Sequence, residues 1–190
     1  MVVLDFEGTI YDEAALRQDL RKVFNAQGLD FETVSRLTSK HGHFSLDSLE
    51  KINIKKRDRE KILRQCTKLL DRGEKYVYPD AKAFLENRDF EIGMLSFGDQ
   101  RYQKQKIEGS GIIDKISKLE ITSKDKADCR SMLSGADVYI DDEVEVLKRI
   151  SRRFKKIFLY FLDRKGGFKN VPPRINRINK LTDIKWRLKN

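Results

Sequence analysis

The sequence predicts an α/β protein, a doubly wound parallel sheet interrupted after its first strand by a small all-helical domain. Three observations carry that expectation. An apolar opening run, and further short apolar runs beyond residue 76, alternate with segments of helical spacing. Three of the runs stop abruptly at polar clusters: Asp5-Phe6-Glu7-Gly8-Thr9, Ser96-Phe97-Gly98-Asp99 and Asp141-Asp142-Glu143. Between the first two clusters, residues 12–75 show helical periodicity and nothing that reads as a strand. The expected organisation is a core built from residues 1–11 and 76–190, with the helical insert at 12–75.

Taken in order, Met1 to Leu4 is the first strand. Ala15, Leu16, Leu20, Val23 and Phe24 recur at helical spacing, and Gly28 stops that helix. A second helix is expected from Phe31 to about Ser39, capped by Asp30 and broken by Gly42. A third covers Ser45–Ile52. A fourth covers Arg57–Leu70, with Ile62, Leu63, Cys66, Leu69 and Leu70 on one face and Gly73 at its end. Pro79 opens the next helix at its first turn. Phe90–Phe97 is the second strand, Tyr102–Gly109 a helix, and Lys118–Ile121 the third strand. Ser123 or Asp125 caps a helix through Leu133. Ala136–Ile140 is the fourth strand, Val144–Phe154 a helix and Lys156–Leu162 the fifth strand. Pro172 and Pro173 mark a loop, and the tail is expected to end in a helix over Leu181–Leu188.

Composition narrows the function classes. Of the 190 residues, 39% are hydrophobic and 37% charged, which suits a soluble globular protein. No apolar run approaches the ~20 residues of a membrane span. The two cysteines, Cys66 and Cys129, lack metal-site spacing and read as reduced thiols. With the chain opening directly on a strand, the expected location is cytoplasmic. The net charge of +10 admits a nucleic-acid footprint or a general surface bias that attracts phosphorylated small molecules. Bases are mixed with acids along the chain, which favours the second; nucleic acid is the less favoured partner. Monomer and homodimer both stay open.

The polar clusters carry the chemistry. Parallel strands end on one edge of the sheet, so Asp5, Glu7, Ser96, Asp141 and Asp142 are expected to converge where open α/β sheets bind ligands. Asp5 and Glu7, two apart in an extended stretch, face one small volume. Such acids repel unless a cation is present or one holds a proton. Oxygen donors of this kind suit Mg²⁺, a carboxylate can act as nucleophile, and a second can move a proton. That is equipment for phosphoryl transfer.

These stretches resemble the motifs of the haloacid dehalogenase (HAD) superfamily. Asp5-Phe6-Glu7-Gly8-Thr9 resembles its first motif, D-x-D-G-T. Leu95-Ser96-Phe97-Gly98 resembles the second, and Val138-Tyr139-Ile140-Asp141-Asp142 the fourth. Tyr78-Pro79-Asp80-Ala81 and the stretch Gln105 to Asp114 fit the segments flanking the second motif. The resemblance covers nearly the whole chain and implies a Rossmann-like core, with the insert as a cap domain. It implies Asp5 as nucleophile forming an aspartyl-phosphate and Glu7 as acid and base. Mg²⁺ would be held by Asp5, the main-chain carbonyl of Glu7 and Asp142, with Asp141 as a further candidate. Ser96 and Gly98, with the lysine of the third motif, would contact the phosphoryl group. The third-motif lysine is Lys126, with Lys124 the alternative.

One departure stands out: the usual second acid is Asp, and here it is Glu7. Some active relatives carry D-x-E-G-T, enolase-phosphatases among them. Glu143 and Glu145 are candidates for a further acid of the fourth motif, or are exposed helix-start acids. His41 and His43 are substrate-contact candidates in the insert, though a polar surface turn accounts for them better. The Ser45–Ile52 segment is an equal candidate. The expected activity is a Mg²⁺-dependent phosphatase of a small phosphorylated metabolite. The alternative is a non-catalytic protein of the same fold that binds nucleic acid or a protein partner.

Overall fold

The protein is seen in a computed structural model that describes residues 1–38, 45–86 and 89–184. His41 and His43 lie outside the described residues. The sheet has six strands: β1 (Val2–Leu4), β2 (Ile92–Phe97), β3 (Lys118–Thr122), β4 (Val138–Asp141), β5 (Phe158–Leu162) and β6 (Ile175–Ile178). Their order is β3-β2-β1-β4-β5-β6, and every neighbouring pair is parallel. The chain therefore winds outward from β1 in both directions. The switch point lies between β1 and β4, where the carboxyl ends of two strands leave a crevice.

Both faces of the sheet are covered, which is why the strands read as continuous apolar runs rather than alternating ones. Val2 and Leu4 point into one apolar cluster with Ile92, Met94 and Ile140. Val3 points to the other, with Leu95, Tyr139, Leu159 and Phe161. The second cluster is closed by α6 (Arg130–Leu133) and α7 (Val144–Arg153), which contribute Met132, Leu133, Leu147 and Ile150.

The stretch between β1 and β2 is helical, as its periodicity predicts. It comprises α1 (Glu13–Asn25), α2 (Phe31–Thr38) and α3 (Lys56–Asp71), then α4 (Pro79–Glu86) leads into β2. Asp12 caps α1 by accepting from Ala15 N at 3.0 Å. Leu16, Leu20 and Phe24 of α1 and Ile62, Cys66 and Leu70 of α3 belong to the same apolar cluster as Leu4 and Met94. The insert thus shares its interior with one face of the sheet. Its seam with α5 (Gln100–Gly109) is tight: a Cβ on Gly109 would stand 1.9 Å from the Leu70 carbonyl oxygen.

Four expectations are corrected. Ser45–Ile52 is a 3-10 segment, Leu46–Lys51, rather than an α-helix. The helix expected up to Leu133 is split into a 3-10 turn, Lys126–Asp128, and the short α6, because Cys129 between them leaves helical geometry at φ −77° and ψ 66°. The tail holds a sixth strand that sequence reading missed. Beyond it, Leu181–Asp183 is a 3-10 turn that ends at the extended Ile184, and residues 185–188 of the expected tail helix lie outside the described residues. No helix of the described residues is long and apolar enough to cross a membrane.

Candidate functional site

The site is built on the end of β1. Asp5 N donates to Ile140 O at 2.9 Å, so pairing with β4 continues one residue past the strand. The chain then turns back on itself: Ile10 N and Tyr11 N both donate to Phe6 O, and Gly8 N donates to Tyr11 O. Gly8 sits at φ +75°, and a Cβ there would lie 2.0 Å from Asp142 Oδ2. The glycine of the first motif is required twice, for its backbone angle and for the close approach of the Asp142 carboxylate.

That turn is held from outside by Arg164, which follows β5. Its Nε donates to Gly8 O at 3.1 Å, one terminal nitrogen donates to Thr9 O at 2.6 Å, and the other to Asp80 Oδ1 at 2.8 Å. The guanidinium also lies over the Tyr78 ring at 3.9 Å.

Asp5 and Asp141 end adjacent strands and share one lysine. Lys126 Nζ donates to Asp5 Oδ1 at 2.5 Å and to Asp141 Oδ2 at 2.9 Å, and all three are buried. Lys126 starts a 3-10 turn that Asp125 caps through Ala127 N. Of the two lysines left open by the sequence, Lys126 reaches the carboxylates. Lys124 is exposed, its backbone tied to the Thr122 hydroxyl. Asp141 also accepts from Tyr139 Oη at 2.6 Å and from Glu143 N at 2.8 Å.

Asp5, Asp141 and Asp142 form a group whose ligand oxygens all lie within 4.8 Å of one another. The electrostatics follow from burial and crowding. Burial pushes the Asp5 carboxyl well above its usual range, Lys126 opposes this, and Asp141 and Asp142 add to it. Burial, with Asp141 beside it, pushes Asp142 up to about 7. Burial works to lower Lys126, but Asp141 and Asp5 outweigh it and hold the ammonium well above its ordinary value.

Glu7 takes a different direction. Its carboxylate lies outside the three-acid group and accepts from Lys106 Nζ of α5. The same ammonium donates to Glu13 Oε2 at 3.1 Å, and Lys106 is completely buried. Burial pushes Lys106 down to about 7, with Asp5 opposing, while the contacts with the two glutamates favour the charged form. Burial also pushes Glu13 up to about 7. In the ligand set that the resemblance implies, residue 7 takes part through its main-chain carbonyl, not this side chain.

Ser96, at the end of β2, is 1% exposed, and its Oγ has no hydrogen-bond partner among the described residues; the same holds for Thr9 Oγ1. Gly98 is committed elsewhere: its N–H donates to Thr122 O at 2.9 Å, continuing the β2–β3 pairing. Gly98, expected among the substrate-binding residues, thus spends its amide within the sheet. Glu143 lines the cavity described next, whereas Glu145 is exposed and paired with Lys148.

A cavity of about 620 Å³ opens beside this constellation, lined among others by Glu7, Glu13, Tyr78, Asp142, Arg164 and Lys165. A second cleft, about 670 Å³, runs between α3, α5 and the 3-10 segment at Leu46–Lys51. None of the three clustered acids lines it, whereas Asp142 lines the first cavity.

Sequence reasoning missed Tyr139, Lys106, Glu13 and Arg164. Tyr139 had a signal, since it stands two residues before Asp141 on one strand and so shares its side. The other three meet the site across 93 or more residues, or by way of a helix start, and nothing local marks them.

No family model and no curated protein matches the sequence. Solved structures do. A haloacid dehalogenase-like hydrolase from Burkholderia xenovorans LB400 matches with a TM-score of 0.72, over 96% of this chain and 93% of that one, at 21% identity. A magnesium-bound HAD hydrolase from Bacillus subtilis matches at 0.63, over 96% and 95%, at 14% identity. A phosphoglycolate phosphatase from Lactobacillus plantarum matches at 0.54, over 96% and 95%, at 13% identity, and L-2-haloacid dehalogenases also match. The sheet order, the helical insert after β1 and the acids at the strand ends thus sit in one known architecture: the chain has the fold of the haloacid dehalogenase-like hydrolases.

Proposed function

We propose that the protein is a Mg²⁺-dependent phosphatase acting on a small phosphorylated metabolite. The observation that carries this reading is the group Asp5, Asp141 and Asp142, bridged by Lys126. Fully ionised, three carboxylates and one ammonium would leave it two charges negative, a crowding that a cation relieves. Oxygen-only donors are what a hard divalent cation takes, so the residues fit Mg²⁺. Asp5, Asp142 and the Glu7 carbonyl would hold the ion, with Asp141 as a further carboxylate. When bound, it supplies neutralisation of the phosphate oxygens.

The chain's own residues then divide the work. The Asp5 carboxylate attacks phosphorus, the bond from phosphorus to the leaving oxygen breaks, and an aspartyl-phosphate forms. Glu7, which lines the cavity, enters this step protonated, one carboxyl oxygen still accepting from Lys106, and gives its proton to the leaving oxygen. It then takes a proton from the water that attacks phosphorus and releases Asp5. Ser96 Oγ, buried without a partner, donates to a phosphoryl oxygen. Lys126 offsets the charge of the phosphoryl group. The insert at 12–75 acts as a cap that limits water and selects the leaving group.

The same fold carries dehalogenases. The acids at positions 7 and 142 argue against that chemistry here, since halide displacement needs neither a metal nor a proton on the leaving group. The test is hydrolysis of an aryl phosphate and a panel of phosphorylated metabolites, with Mg²⁺ and with EDTA. Turnover that requires Mg²⁺ and falls at least about 10³-fold in Asp5→Asn is expected. Absence of turnover across the panel, or halide release from a 2-haloacid instead, sinks the reading.

A further inference from the structure

Lys106 is a wholly buried ammonium that touches two carboxylates and stands 4.7 Å from the Tyr102 ring centre. Its partners are only partly buried. The side chains of Glu7 and Glu13 are 31% and 23% exposed and both line the 620 Å³ cavity, whereas Lys106 does not. The lysine therefore stands behind the two acids, on the side away from the cavity. The arrangement parallels Lys126, which bridges Asp5 and Asp141 on the neighbouring strand ends.

A buried ion pair is a weak source of stability, because desolvation of the charges offsets most of their attraction. What it does supply is direction. A glutamate has one more rotatable bond than an aspartate, and its carboxylate reaches about 1.5 Å further along the chain of carbons. Unrestrained, Glu7 would sample several staggered rotamers over the cavity. The Lys106 ammonium holds it in one, and Glu13 accepts from the same ammonium.

We propose that Lys106 is a positioning residue for Glu7: it takes up the extra methylene and fixes the carboxylate at the cavity wall. The proposal rests on the proton-transfer role given to Glu7 above. It makes the lysine matter most because residue 7 is a glutamate, since an aspartate's carboxylate would stand about 1.5 Å further from the ammonium and be held less firmly.

The test compares wild type, Lys106→Met, Glu7→Asp and the double variant, using an aryl phosphate with Mg²⁺. Lys106→Met is expected to lower kcat by about tenfold to a hundredfold, with KM within about twofold, because a misplaced catalytic group costs rate rather than binding. In the Glu7→Asp background the same substitution is expected to cost less than about threefold, a non-additivity that a merely structural lysine would not show. Equal losses in both backgrounds, or no loss, overturn the proposal. Should Lys106→Met not fold, Glu13→Gln makes the same comparison, with a loss of about threefold to tenfold expected only when residue 7 is Glu. A crystal structure of Lys106→Met reads the positioning without activity: a displaced or multiply placed Glu7 carboxylate is expected, and an unmoved one overturns the proposal. An inactive wild type would remove the phosphatase reading and leave this structural comparison to decide the role of Lys106.

Discussion

Asp142→Asn should make the metal-free protein more stable at pH 8. Burial and the neighbouring Asp141 carry the Asp142 carboxyl from its ordinary 3.8 up to about 7. At 1.36 kcal/mol per pH unit, its charged form is then about 4 kcal/mol less favourable in the folded protein than in the unfolded chain. Asp142 is partly open to the cavity and shares its crowding with Asp5 and Asp141, so about half of that, roughly 2 kcal/mol, is the expected gain on removing the charge. The sign follows from linkage. A carboxyl whose folded value is raised binds more protons folded than unfolded between pH 4 and 7, so stability falls as pH rises through that window. The gain should therefore be absent near pH 4 and complete by pH 8. Urea unfolding in EDTA at both pH values is the assay. Saturating Mg²⁺, which adds about 2.7 kcal/mol at a hundredfold excess over Kd, should reverse the order by stabilising wild type and not the variant. An Asp142→Asn protein that is equally or less stable at pH 8 without metal would refute the reasoning.

Three further outcomes follow from single contacts. Gly8→Ala should cost about 1–3 kcal/mol in urea unfolding, since it sets a Cβ at φ +75° and 2.0 Å from Asp142 Oδ2. Arg164→Ala should cost about 2–3 kcal/mol, because it strips Gly8 O, Thr9 O and Asp80 of a charged donor and uncovers Tyr78. The Cys66 thiol, pushed up to about 12 by burial, should stay protonated, so alkylation at pH 8 should proceed only after the protein is unfolded.

Much of the fold could be read from local patterns, because strands buried on both faces are plain apolar runs. Tyr139-Ile140 and Phe161-Leu162 declare themselves in that way. Strand β6 does not: in Ile175-Asn176-Arg177-Ile178 only the two ends are buried, which matches neither alternation nor a continuous apolar run. Its place on the sheet edge is set by pairing with β5 and not by its own composition. The candidate site divides the same way. Asp5, Asp141 and Asp142 stand at strand ends of one parallel sheet, so the order of elements brings them together, and Ser96 stands near the end of the neighbouring β2. Lys126 needed the structure to be separated from Lys124, because a two-residue shift at a helix start reverses which side chain points inward. Lys106 reads in the sequence as one base in the basic run Arg101 to Lys106. Only its packing under Glu7 and Glu13 distinguishes it.

The central claim is that Asp5 carries the phosphoryl group covalently. Acid quenching during turnover, followed by borohydride reduction and peptide mass spectrometry, tests it directly, because an aspartyl-phosphate is reduced to homoserine. The account predicts homoserine at position 5 in wild type, dependent on Mg²⁺ and substrate and absent in Asp5→Asn. Turnover in which the modification falls on another residue, or in which no acyl-phosphate can be trapped even when its hydrolysis is slowed by Glu7→Gln, would contradict it.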